Sequence, residues 1–241
     1  MRSMLYGLLA GICYCVTSTP ALAAAVNVPN FSFENPDIID SGAVGGTGPL
    51  GSIPNWLGVT TNPSTITPGL MDYTDAQFPG STGDNTPLPG TALGGQAGLL
   101  HLKSSSNSTF SSLESAASLG AITANTQYFL TVAVGHRIDL DAADATISLL
   151  AGGKAIQSIT IPASAIPRGT FADFIATYTT LPGDPLTGMS LGIRLRADRL
   201  PGPGADLETS FDNVRLTATT VPEPTAMFLP AVFVMLARRR H

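Results

Sequence analysis

Asp212 lies in Ser210-Phe211-Asp212-Asn213-Val214-Arg215-Leu216, a run whose apolar alternation predicts a strand. On a regular strand it shares a face with Val214 and Leu216, so its carboxylate points to the apolar side, where an unpaired charge is expensive. It then needs either a bound cation or several donors, supplied by backbone amides or by an arginine such as Arg215. A second chemical opportunity is aromatic. Trp56, Tyr73 and Phe78 fall in one proline- and glycine-rich stretch, and an exposed ring face there would stack on a sugar as a ligand-binding surface. The alternative is that they are core, the usual place for the single Trp of a small β-domain.

Other patterns lead to less. Gly46-Thr47-Gly48-Pro49-Leu50-Gly51 fits G-x-G-x-x-G, but Pro49 and the lack of a strand-turn-helix frame make it a loop and not a dinucleotide site. Asp139, Asp141 and Asp144 cluster beside Arg137, yet Ala143 and a missing glycine break the EF-hand spacing, which predicts a solvated turn. His101 and His136 are the histidines ahead of the terminal His241, and no H-E-x-x-H, G-x-S-x-G or P-loop run is present. That excludes the hydrolases and NTPases legible from a motif.

The elements that must position these residues read as β throughout. Leu191, Ile193 and Leu195 alternate with Gly192, Arg194 and Arg196, and Tyr128, Leu130, Val132 and Val134 share one face of a second strand. Thr146 to Leu150 and Ala155 to Ile161 flank Ala151-Gly152-Gly153-Lys154, a hairpin signature. Phe171 to Thr179 and Phe211 to Ala218 extend the set, and no repeat of solenoid length recurs, so the expectation is an all-β antiparallel sandwich. From 41 to 98 the chain changes character, with prolines at 49, 54, 63, 68, 79, 87 and 89, and reads as a long functional loop region.

Both ends carry targeting signals. Arg2, the apolar run from Leu5 to Val16, and Ala21-Leu22-Ala23 form a secretory signal peptide cleaved before Ala24, which removes both cysteines and leaves no disulfide in the mature chain. At the other end Val221-Pro222-Glu223-Pro224 precedes an apolar run to Ala237 and then Arg238-Arg239-Arg240, a stop-transfer arrangement. The run is about half the ~20 residues that span a hydrocarbon core and contains Pro230, which predicts a short hydrophobic helix and a transient membrane association. The expected organisation is a signal peptide at 1–23, one β-sandwich domain at 24–220 and a tail at 221–241. Without its targeting ends the domain keeps 8 basic against 16 acidic side chains, a net charge of −8, which excludes nucleic acid as a partner.

The Pro-Glu-Pro, apolar and basic order of the tail resembles the PEP-CTERM sorting signal of exported bacterial proteins. That resemblance implies an exosortase-type processing enzyme as partner and a final place at the cell surface or outside it. The domain itself opens with Asn30-Phe31-Ser32-Phe33-Glu34-Asn35-Pro36 and Pro54-Asn55-Trp56 and closes with Phe211-Asp212-Asn213-Val214. These brackets, with Leu130 to Arg137 between them, resemble the galactose-binding-like jelly rolls of carbohydrate-binding modules. The resemblance implies a structural calcium joining the first and last strands, with Glu34 and Asp212 as its carboxylate ligands. An oxygen-only set suits Ca²⁺ better than a transition metal.

Three classes of function follow. The main expectation is an exported surface or matrix protein whose calcium-stabilised sandwich binds extracellular polysaccharide. A purely structural surface protein would need no pocket. The third is an enzyme: the same brackets resemble those of the calcium-dependent Stig cyclases of indole alkaloid biosynthesis, which implies an acid-promoted rearrangement with Asp212 as acid or as calcium ligand.

Overall fold

The computed structural model describes residues 23–38, 43–44, 53–60, 66–81, 87–104, 109–199 and 205–222. The expected signal segment before Ala23, including Ala21, and the tail residues Glu223, Pro224 and Arg238 to Arg240 lie outside them, as does the expected C-terminal helix. Among the described residues no helix is long and apolar enough to cross a membrane.

Among the described residues, twelve strands make two facing antiparallel sheets: β1 (Ala23–Val26), β2 (Ala43–Val44), β3 (Trp56–Thr60), β4 (Ile66–Asp72), β5 (Gln96–Leu102), β6 (Phe110–Ser115), β7 (Thr126–His136), β8 (Asp144–Ala151), β9 (Lys154–Ile161), β10 (Thr170–Thr179), β11 (Leu191–Asp198) and β12 (Leu207–Thr220). The first sheet runs β10-β7-β12-β5-β4-β2 with β1 also on β12; the second runs β3-β6-β11-β8-β9. The result is the all-β antiparallel sandwich of jelly-roll type that the alternation predicts. Tyr128, Leu130, Val132 and Val134 of β7 face Leu191, Ile193 and Leu195 of β11 and Ile147 and Leu149 of β8 across one buried core. The β8–β9 hairpin turns at Gly152 and Gly153, both at positive φ (54° and 80°), the mirror-image turn that matches strand twist.

β12 organises the first sheet. One edge pairs with β7; the other pairs with β5 at Leu207–Phe211 and with β1 at Leu216–Thr219. In the gap between those two partners the Val214 amide donates to the Phe31 carbonyl at 2.8 Å, so the opening segment does lie beside the closing strand. Phe31 to Phe33 is a turn and not a strand there, with Asn30 and Phe33 at positive φ.

The 41–98 stretch is not the long loop its prolines predict. β3, β4 and the start of β5 lie in it, and β4 includes Pro68 and Gly69, two poor strand formers. Pairing from Ile66↔Leu102 to Asp72↔Gln96 overrides that local preference. Among the described residues β2 pairs with β4 at Leu70 and Met71 and not at Pro68, where a ladder N–H is missing. After β4 the chain turns back over the outer face of the first sheet. Tyr73, Phe78 and Leu88 pack there on Ala97, Ala133 and Phe171, forming a second apolar cluster on the side away from the sandwich core.

Candidate functional site: a carboxylate pair and a buried polar group on one sheet face

Asp212 does not share a face with Val214 and Leu216. The β12–β7 register shifts between Asp212 and Arg215, and Asn213 adopts a φ of 45°, a bulge that inserts one residue into the alternation. Phe211, Val214 and Leu216 therefore all enter the sandwich core, while Asp212 stands opposite Ala133 on the outer face. Its carboxylate is fully buried all the same, because the segment before β5 covers it: the Leu93 amide donates to Oδ2 at 2.5 Å. Asn213 ties the same segment down through Nδ2, which donates to the Thr91 carbonyl at 2.8 Å. Arg215 is not the partner; it pairs with Asp173.

Glu34 is brought to the same place. Its Oε1 accepts from the Gln96 amide at 3.1 Å, and its charge acts on Asp212. Gly94 sits at φ 79°, and a Cβ there would collide with the Glu34 carboxyl, so glycine is what lets the loop close over it. Gln96, buried in β5, holds the approach. Its Oε1 accepts from the Ile38 amide at 2.7 Å, and its Nε2 donates to the Phe33 and Pro36 carbonyls at 3.2 and 3.0 Å. Burial raises the Asp212 carboxyl well above the usual carboxylate range against two backbone amides, with Glu34 adding to the rise. Glu34 is raised too, first by burial, with Asp37 and Asp72 adding repulsion.

Two partly or fully desolvated carboxyls held by the same 93–96 segment, one with a buried Oδ1 that has no hydrogen-bond partner, are hard-oxygen groups of the kind a divalent cation stabilises. Among the described residues no three acidic, His or Cys side chains stand together at metal-ligand spacing. A cation here would be completed by backbone carbonyls and water, as calcium readily is.

The sugar-stacking expectation fails on geometry. Trp56, Tyr73 and Phe78 are all buried, at 1 %, 0 % and 0 % exposure, and none offers a ring face to solvent. Trp56 packs against Phe33 at 5.1 Å and donates from Nε1 to the Asn30 carbonyl, so it is a core residue that locks the opening turn. Phe78 lies between Tyr73, met edge-on at 4.8 Å, and Phe171, stacked at 4.7 Å, on the outer face of the first sheet.

That face also carries a buried polar group that the sequence gave no motif for. Glu208, Ser210 and Asp212 alternate along β12 on this side. The Tyr73 hydroxyl is 2.5 Å from Ser210 Oγ and donates to Glu208 Oε1 at 3.3 Å. Arg137 donates from Nη1 to Glu208 Oε2 at 2.9 Å and grips Asp139 through Nε and Nη2. Glu208 is 2 % exposed and sits directly across the strand pair from His101 of β5. Burial, then the Glu208 charge, lifts the Tyr73 hydroxyl well above the usual phenol range. The hydrogen bond from Arg137 lowers Asp139. Burial opposes the Arg137 charge, but its two carboxylate partners outweigh that and raise it. The acidic turn is thus a paired one: Asp139 on Arg137, Asp141 on Arg168, and Asp144 accepting the Ala163 amide. The available signal for Glu208 was its two-residue spacing from Ser210 and Asp212, which needed the strand's start to be usable.

Comparison with known proteins bears on this geometry. A Stig cyclase from Fischerella sp. TAU, solved in complex with (3Z)-3-(1-methyl-2-pyrrolidinylidene)-3H-indole, superposes with a TM-score of 0.64 at 21 % identity, over 83 % of this chain and 100 % of that one. A cyclase from the same organism in complex with 4-(1H-indol-3-yl)butan-2-one gives 0.61 at 22 % identity, over 83 % and 99 %. At such identities the likeness establishes the fold. A carbohydrate-binding module in complex with β-1,4-galactotriose matches more loosely, at 0.41 and 12 % identity over 78 % and 95 %, too distant to bear on a ligand. No curated protein matches the chain. The family model described as HpiC1 cyclase matches residues 24–217, nearly the whole span from the opening bracket to the closing strand, and the chain therefore belongs to the HpiC1-like cyclase family.

Proposed function

We propose that this protein is a calcium-requiring cyclase that rearranges an apolar, indole-type substrate on the outer face of its first sheet. The carrying observation is the buried Tyr73–Ser210–Glu208–Arg137 group beside the Tyr73, Phe78 and Phe171 rings, on the face of the sheet turned away from the sandwich core. A purely structural sandwich has no need to desolvate an ion pair there, since apolar residues of similar volume are as stable or more so. Convergent polar groups are the part of a small-molecule site that this face supplies; the Tyr73, Phe78 and Phe171 rings behind them are themselves buried. The indole ligands of the two Fischerella cyclases support the substrate class. Calcium, held between Glu34 and Asp212, would fix the 91–96 segment and with it the chain that packs on the face; Asp212 is then a calcium ligand and not the acid. The polysaccharide-binding expectation loses its aromatic platform and is set aside.

The same proposal includes export. The family match begins at residue 24, the residue expected to open the mature chain, and cleavage after Ala23 leaves the pairing of Ala24 to Val26 on β12 intact. Sorting of the tail by an exosortase-type enzyme, with delivery to the surface, rests on the Val221–Pro224 and Arg238–Arg240 pattern alone.

Isothermal titration of the calcium-loaded protein with 4-(1H-indol-3-yl)butan-2-one tests the enzyme reading. Saturable binding that is lost on chelation is the expected result. No binding at millimolar concentration, with a positive glycan array, would return the protein to the carbohydrate-binding class.

A further inference from the structure

His101 brings to this face a group whose chemistry the pairing does not use up. It projects from β5 directly opposite Glu208, its imidazole is about three-quarters buried with 24 % of the side chain exposed, and its Nε2 is buried without a hydrogen-bond partner, 3.8 Å from Asp206 Oδ2. A buried ring nitrogen left unbonded is costly, and a hydrogen-bonding group on a ligand would relieve that cost. Around the ring stand Glu208 and Asp206 at the start of β12, Lys103 just after β5 and Arg137 just after β7. Burial lowers the His101 pKa first, and the two acids pull it back. The imidazole is therefore held toward its neutral form, with Glu208 and Asp206 beside it to favour the imidazolium when it takes up a proton. Glu208 is different. Arg137 and Tyr73 fix both of its oxygens, which suits a stationary negative charge better than a group that gains and loses a proton.

We propose that His101 exchanges the proton of the cyclisation at Nε2, and that Glu208, held by Arg137 and Tyr73, is the counter-charge for the cation formed on the substrate. This rests on the cyclase reading above. In the forward step the imidazolium gives its Nε2 proton to a ring carbon of the bound indole. The electron pair of the ring double bond makes the new C–H bond, and the positive charge moves to the indole nitrogen. A double bond within the substrate then supplies the pair that closes the new ring. Loss of a proton from the closed product to Nε2 restores the imidazolium, so nothing is oxidised or reduced and no second reactant is consumed. Tyr73 and Arg137 are positioning residues in this scheme.

The first half-step can be followed without the natural substrate. In D₂O, unsubstituted indole exchanges its ring C3 hydrogen through the same protonation, and loss of that proton signal is read directly by NMR. With the full chain and calcium present, exchange is expected at least tenfold faster than in buffer, falling as pH rises through the titration of the His101 Cε1–H signal. His101→Gln should return the rate to that of buffer while calorimetry still shows indole bound. Glu208→Gln should bind it too and exchange about tenfold more slowly than wild type. If His101→Gln lowers the melting temperature by more than a few degrees, His101→Asn and the wild-type pH profile decide instead. Bound indole with exchange no faster than buffer, or with a rate indifferent to His101, overturns the proton assignment and leaves the cyclase reading standing. Failure of indole to bind at all removes the indole reading, and the assignment with it.

Discussion

Asp212 and Glu34 set the most direct test at the scale of single residues. In the absence of a cation both carboxyls hold their protons more tightly in the folded chain than in the unfolded one, because burial penalises the charged form. The folded state therefore binds more protons over that interval, and the stability contributed here falls as pH rises from the ordinary carboxylate range toward the raised folded values. On the calcium proposal the ion reverses the dependence by binding the ionised pair. In chelator, the melting temperature of the wild type should decline relative to Asp212→Asn as pH rises above the ordinary carboxylate range, about 4. Calcium at about 100 times Kd should add ~2.7 kcal/mol at neutral pH, a shift of a few degrees for a domain of this size. Asp212→Asn should lose most of that calcium shift. A calcium-insensitive wild type, verified metal-free beforehand, would assign the carboxyls to the amides of Leu93 and Gln96 alone.

The element that decides the site is β12. Its bulge at Asn213 turns one strand into two half-strands of opposite phase, so that Phe211 and Val214, three residues apart, both reach the core and Asp212 faces out. β7 meets it with Gly135 opposite Ser210, and here the glycine is required by contact and not by φ: a Cβ would stand 2.5 Å from the Phe171 ring. Gly135→Ala should displace that ring from Phe78, at a cost of about 1–3 kcal/mol from overpacking. Denaturant midpoints of Gly135→Ala, Phe171→Leu and the double variant check it; a double variant as unstable as the sum of the singles would mean that the two side chains do not meet. The strands themselves were legible in the sequence. Alternation at 128–134 and 191–196 and the paired glycines at 152 and 153 act through near neighbours, and they fold as written. β4 was not legible, because the pairing that holds Pro68 and Gly69 in a strand comes from Leu99 and Leu100, some thirty residues along the chain.

For the whole molecule, the acidic domain and its two targeting ends form one expectation. A chain exported through its signal peptide and processed near Pro222 should be recovered from the cell surface without residues 1–23 and without the arginine cluster. Mass spectrometry of surface-extracted protein tests this, and intact chains confined to the cytoplasm would refute it. The geometry at the domain's ends is compatible with both cuts: Ala23 opens β1 and is exposed, while Val221 and Pro222 leave β12 with the Val221 amide donating to the Asn125 carbonyl at 2.7 Å.

The sequence by itself determined the all-β sandwich and the bracketing of the domain by Phe33-Glu34 and Phe211-Asp212, because side-chain alternation and turn glycines are local properties of the chain. The pairing of Glu34 with Asp212 came from the jelly-roll resemblance and not from the alternation. Tertiary structure alone decided which way Asp212 faces, since a one-residue bulge inverts every later side chain and leaves no trace in the alternation that precedes it. It alone decided that Trp56, Tyr73 and Phe78 are interior, since an aromatic ring is equally at home in a core or on a sugar until its neighbours are known. And it alone assembled Tyr73, His101, Arg137 and Glu208: Tyr73 and Glu208 are 135 residues apart, joined only where β4, β5 and β12 lie side by side, and hydrogen bonds of that span are set by strand order, which no short stretch of sequence encodes.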